Sequence, residues 1–178
     1  MENQQHRGKK FCILLCLVRI KMTSRILTRE RILEIMKCYD HLPEPENLEV
    51  TILKGHLLIE IRLKEYIGKK LPNPQSCDLD RFKFSQLINI AHGLCSSHRY
   101  DSLWQSTQNL NMLRNRLSHE LDDVYFMNAL NNFLDYHSKH FFQEDSGCRN
   151  IHSCIVSVYS SFIHLIAEDT EPISPANV

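Results

Sequence analysis

The run LEVTILKGHLLIEIRLKEYIG, Leu48 to Gly68, spaces its apolar residues three and four apart and never alternates strictly. That is the period of an amphipathic helix rather than of a strand. Leu53, Leu57 and Ile61 fall on one side, Ile52, Ile59, Leu63 and Tyr66 lie nearby, and Gly68 is a natural C-terminal stop.

The same period recurs outward from this stretch. Upstream it predicts a helix from Thr28 to Tyr39, with Thr28 as N-cap and Leu27 and Ile32 as a hydrophobic staple. Asp40 to Asn47, with Pro43 and Pro45, reads as a loop, and so do residues 69–80. Further on, Arg81 to Ser97 carries Phe84, Leu87, Ile88, Ala91, Leu94 and Cys95 on one stripe. A helix capped by Asp101 then carries Leu103, Leu110, Leu113 and Leu117. Asp122 or Asp123 can cap a fifth helix whose stripe is Met127, Leu130, Phe133, Leu134, His137 and Phe141. After a linker at 143–147, a last helix carries Ile151, Ile155, Val158, Phe162, Leu165 and Ile166. Short connections between long amphipathic helices predict an all-α, up-and-down bundle of five to six helices. Residues 25–168 form one domain, between an N-terminal extension (1–24) and a tail (169–178).

Composition narrows function. Hydrophobic residues make up 43% of the 178 and charged residues 24%, ordinary globular usage. The 21 basic and 21 acidic residues cancel. Non-specific coating of nucleic acid needs a basic excess, so any contact with RNA falls to a local patch and a transient substrate. Seven cysteines without a CxxC pair predict reduced thiols and a cytoplasmic protein. Lys9 and Lys10 precede the apolar run Phe11–Val18, but Arg19 and Lys21 follow at once. No small-residue cleavage site appears, and the run is too short to span a bilayer, so neither export nor membrane insertion is expected. Met22 is an alternative start. Histidines and cysteines in pairs such as His137 and His140, or around His152 and Cys154, lack the second pair that tetrahedral zinc requires; no metal or cofactor is expected. The absence of a glycine-rich loop removes the common nucleotide-binding fingerprints.

The stretch Leu110–Leu121, LNMLRNRLSHEL, holds Arg114-Asn115-x-x-x-His119. It resembles the arginine-to-histidine motif of the HEPN superfamily, including the polar residue directly after the arginine. HLLIEIRLKEYI (His56–Ile67) is similar to the family's long first bundle helix. FKFSQLINIAHGL (Phe82–Leu94), followed by LWQSTQNLNMLRNRLSH, is similar to the layout of mannitol-repressor-like and toxin-like members. The resemblance covers about residues 48–142. It implies a homodimer with two motifs in one cleft and, in members that act on RNA, a metal-independent endonuclease that leaves 2′,3′-cyclic phosphate ends. Matched by position, Arg114 would stabilise the phosphorane, His119 would move protons and Asn115 would orient one of them. Arg116 and Arg99 would add RNA-binding charge, with Glu60 and Ser118 in support. The nuclease reading implies a toxin or defence protein whose candidate partner is an antitoxin; the alternative is a non-catalytic regulatory or dimerisation module that binds a protein partner. The toxin subgroup's tyrosine two residues after the histidine is replaced here by Leu121.

Helix geometry adds a condition. Positions five apart on an unbroken helix differ by about 140° and about 7.5 Å of rise. Arg114 and His119 therefore share a face only if the helix ends or bends near Leu117–Ser118, or if they meet across a dimer seam.

Overall fold

The computed structural model describes residues 28–43, 47–119, 123–141 and 150–169, with positions 119 and 123 described as backbone. Among the described residues there are six α-helices: α1 (Arg29–His41), α2 (Leu48–Lys70), α3 (Phe84–Leu94), α4 (Asp101–His119), α5 (Asp123–Phe141) and α6 (Ile151–Asp169). No strand occurs among the described residues, so the all-α bundle stands. Residues of all six helices join one hydrophobic core.

Local chemistry sets most of the ends. Thr28 caps α1 by accepting from the Arg31 amide, and Asn47 caps α2 by accepting from that of Val50. Leu27, the other half of the expected staple, lies outside the described residues. At α3, the Gln86 side chain accepts from the Lys83 amide at 2.8 Å. Four expectations need correction. The third helix is Phe84–Leu94 and not Arg81–Ser97. The second helix passes through Gly68 and stops at Lys70, where the Leu71 amide bonds Ile67. Nothing crowds Gly68, so it is free to stay helical. The loop after α1 begins two residues later than expected, at Leu42. Asp169, assigned to the tail, is instead the last residue of α6, where it accepts from Tyr66 and Ser96 and pairs with Lys70.

The centre of the bundle is α6. Every residue from Ile151 to Ile166 is buried, including four serines and two histidines. A helix buried on all sides must be small or apolar all round, which explains why its composition alone would also suit a membrane span. α2 packs closest to it. Gly55 meets Ile155, Arg62 meets Tyr159 and Lys70 meets Asp169, so the two helices run in the same sense. α4 opposes both, with Trp104 edge-on to Phe162 near the end of α6 and Tyr100 bonded to Glu168. The alternation of direction is interrupted between α2 and α3. Residues 71–83 lead the chain back along α2, so that Phe84 starts α3 beside His56. The ion pair of Asp80 with Lys64 fastens that return.

The buried face of α2 is not the one first suggested by counting. Ile52, Ile59, Leu63 and Tyr66 are fully buried, whereas Leu53, Leu57 and Ile61 are exposed at 40%, 59% and 57%. Gly55 decides this, because a Cβ there would stand 2.5 Å from Cδ1 of Ile155 and 3.0 Å from two further atoms of that side chain. Gly55→Leu should destabilise the fold by about 1–3 kcal/mol, the usual cost of overpacking. Urea denaturation read by Trp104 fluorescence measures this. Combining it with Ile155→Ala should cost less than the sum of the two, since the alanine vacates the space. Simple additivity would mean that the contact does not set the approach of α2. A second correction concerns α5, where Met127, assigned to the inner stripe, is 46% exposed, while Leu130, Phe133, His137 and Phe141 are buried.

Candidate functional site

α4 positions the motif. Leu103, Leu110 and Leu113 face the core and anchor its inner side. The helix continues without a break to His119, so the expected end or bend near Leu117–Ser118 does not occur. Backbone positions 114 and 119 then sit about 140° apart around one axis. Within one chain the pair does not converge, which leaves the dimer seam as the route by which they could meet. Residues 120–122, Asp122 among them, lie outside the described residues.

Arg114 is half-buried, one turn from Leu110 and Leu117. Its guanidinium donates a long bond, 3.4 Å, to the Asn115 side chain, and among the described residues it makes no ion pair. Asn115 and Ser118 are exposed, and the Ser118 hydroxyl bonds back to the Arg114 carbonyl at 3.1 Å. That bond satisfies the serine locally and leaves it little pull on the arginine head group. Arg116 lies on another face of α4, with its guanidinium 5.8 Å from the centre of the Tyr125 ring. Beside it, Asn109, Met112, Tyr125 and Asn132 help to line a cavity of about 180 Å³ between α4 and α5.

Two expected members are placed elsewhere. Arg99 precedes α4 at the opposite end of the bundle, roughly 20 Å from Arg114 by helix rise, and pairs there with Glu168 at 3.1 Å. It cannot share a groove with Arg114 of its own chain. Glu60 takes neither Arg114 nor Arg62 as its partner; it pairs with Lys64 one turn along α2, at 2.6 Å. Arg62 is held by Glu34, Glu65 and the Tyr159 hydroxyl, all within 2.6 Å.

The residue that sequence reasoning passed over is His56. It stands on α2 one turn before Glu60, buried, with its ring stacked on Phe84 at 3.8 Å between centroids. Asn111 and Arg114 reach it from α4. Burial holds its pKa below the ordinary histidine value and the Arg114 charge adds to that, while Asn111 and Glu60 pull the other way. It is therefore neutral near pH 7. A histidine among leucines gave no signal of this kind; only its four-residue spacing to Glu60 hinted at a shared face.

Elsewhere, Cys38 and Cys154 are buried, Cys77 and Cys95 are partly exposed, and none of the four is in a disulfide. Burial pushes the Cys38 thiol up to about 12, so it is inert as a nucleophile. His137 and His152 are committed to contacts inside the bundle, the first beside the Ser106 hydroxyl and the second with Nε2 2.6 Å from the Pro43 carbonyl.

What the α2–α4 seam offers chemically is a half-buried guanidinium with no ion pair among the described residues, amides beside it and a neutral imidazole nearby. Such a group suits an oxyanion, for which its planar fork supplies two parallel donors. Compared with known proteins, the chain matches no family model, no curated protein and no solved structure.

Proposed function

We propose that the chain is a cytoplasmic, metal-independent RNA endonuclease of the HEPN type, acting as a homodimer in a toxin or defence system. The observation that supports it best is Arg114, a half-buried cation with no carboxylate partner among the described residues. A charge kept partly out of water and left unneutralised is costly unless it serves an incoming anion. In the proposed reaction a base removes the proton of an RNA 2′-OH, and that oxygen attacks the neighbouring phosphorus. The bond from phosphorus to the 5′-oxygen breaks, and an acid protonates the leaving oxygen. The products are a 2′,3′-cyclic phosphate and a 5′-OH. His119 supplies proton transfer near neutrality, and Arg114 meets the charge on the phosphorane oxygens. His119 of one copy supplies one of the two proton steps at a site that takes its arginine from the other copy, and water supplies the second proton step.

The test is cleavage of mixed-sequence RNA by purified protein in EDTA. Fragments ending in 2′,3′-cyclic phosphate are expected. A folded dimer that leaves several RNAs intact would overturn the nuclease reading.

A second reading, a regulator that binds a protein partner, is favoured by a different observation. Met112, Val124, Tyr125 and Met127 are all exposed by 46% or more, near the motif end of α4 and the start of α5. Met112 and Tyr125 line one cavity, and large exposed apolar side chains that lie together mark interaction sites. Capture of a stoichiometric protein partner, lost in Tyr125→Lys but kept in Arg114→Ala, would favour it.

A further inference from the structure

His56 is only 8% exposed, and its Nε2 meets no hydrogen-bond partner. The ring cannot turn freely to find one, because Phe84 at the start of α3 stacks against it. α6 meets this part of α2 at the neighbouring Gly55, through Ile155. The charged groups acting on the ring are two: Glu60, one turn along its own helix, and Arg114, one turn beyond Asn111 on α4. Glu60 is already bound to Lys64, which also holds Asp80. The Arg114 charge beside the imidazole is thus left without a counter-ion among the described residues.

We propose that this seam is a proton-linked anion site, in which a phosphate or phosphodiester group held by Arg114 binds together with a proton taken up by His56. The inference rests on the reading of Arg114 as a phosphate ligand. Two effects keep the imidazole neutral without a ligand, its burial and the repulsion from Arg114. A bound anion cancels the second and adds an attraction of its own, so the imidazolium becomes easier to form. Linkage is reciprocal: whatever makes protonation easier when the anion binds makes the anion bind more tightly when the proton is present. Binding should strengthen as pH falls through the histidine range. Asn111, beside the ring and three residues before Arg114, is placed to keep the two groups in register.

A short oligothymidine is a suitable probe, because it carries phosphodiesters, cannot be cleaved through a 2′-OH and has no group that titrates between pH 5 and 8. Inorganic sulfate is the second probe and separates a site for a free anion from one that needs a nucleic-acid backbone. Affinity for at least one probe should rise as pH is lowered from 7.5 to 5.5, toward a limit of about tenfold for each unit by which the ligand raises the His56 pKa, reached once pH is below both values. In His56→Gln the pH dependence should flatten, and Arg114→Gln should lose binding at both pH values. Wild-type protein also carries its own test: the imidazole signals of His56 in an NMR titration should move to a higher midpoint when the probe saturates the site. An unmoved midpoint, or no binding of either probe, would overturn the proposal. RNA cleavage that persists while the His56 midpoint stays fixed would sink the coupling and spare the nuclease. Proton-linked binding without cleavage would do the reverse.

Discussion

Replacing Arg114 by alanine is expected to lower RNA cleavage by about 10²–10³-fold, the loss that follows removal of one preorganised donor to a developing oxyanion. His119→Ala should cost a similar or larger factor, about 10²–10⁴, as expected for a general acid or base. Arg114→Lys keeps the charge but loses the fork, so it should recover only part of the rate. Stability should move little in the arginine variants, since the guanidinium makes one long bond and no ion pair among the described residues. Urea denaturation would separate a catalytic loss from unfolding. The stronger test comes from the unbroken helix. If positions 114 and 119 cannot meet within a chain, each site takes its arginine from one copy and its histidine from the other. Mixing the Arg114→Ala and His119→Ala proteins then builds heterodimers in which one of two symmetric sites is intact. After random exchange, activity should return to about a quarter of the wild-type level, because half the dimers are mixed and half their sites are whole. No recovery from fully exchanged mixtures would show that the pair works within one chain, or not at all.

Much of this fold was legible because helical period is written in short range. Each of the six helices follows from apolar residues three and four apart, and Thr28 announced its own cap. The inner face of α2 was not legible in the same way. That helix is apolar on two sides, and a periodicity count cannot choose between Leu53–Leu57–Ile61 and Ile52–Ile59–Leu63. The choice belongs to tertiary packing, where Gly55 lets α2 approach Ile155 of the central helix. The three residues left over, Leu53, Leu57 and Ile61, became exposed surface. The candidate site divides along the same line. Arg114, Asn115 and His119 are near in sequence and were found by spacing. His56 joins Arg114 only because α2 and α4 run past each other, and Arg99 leaves it because it lies beyond the far end of α4. Glu60 was rightly placed on α2, but its partner is set by a one-turn spacing to Lys64 that competes with any longer reach.

The bundle should also weaken in mild acid, and His137 is the residue that makes the effect measurable. It is fully buried on α5, with Nδ1 3.1 Å from the Ser106 hydroxyl and its ring stacked on Phe141 at 4.1 Å. Burial, with a smaller contribution from His140, pushes its pKa down to about 3. In the unfolded chain the same group titrates near 6.5. Between these two values the unfolded state binds a proton that the folded state refuses, so stability rises with pH across the window. The contribution is complete above about pH 6.5 and is lost progressively as pH falls toward 3. Taking the protein from pH 7.5 to 5.0 should cost about 2 kcal/mol through this one histidine. His164, pushed down to about 4 by burial and by Arg31, acts in the same sense. Asp169 does not enter this window: burial works against its ionised form, but hydrogen bonds from Tyr66, Lys70 and Ser96 hold its pKa below the ordinary carboxylate value. Urea denaturation at the two pH values, read by the buried Trp104, measures the loss. In His137→Gln, which can still bond Ser106 but cannot titrate, the difference between the two pH values should shrink by about 2 kcal/mol. An unchanged difference would mean that His137 accepts its proton without opening the bundle, and that the α4–α5 seam beside the motif admits water.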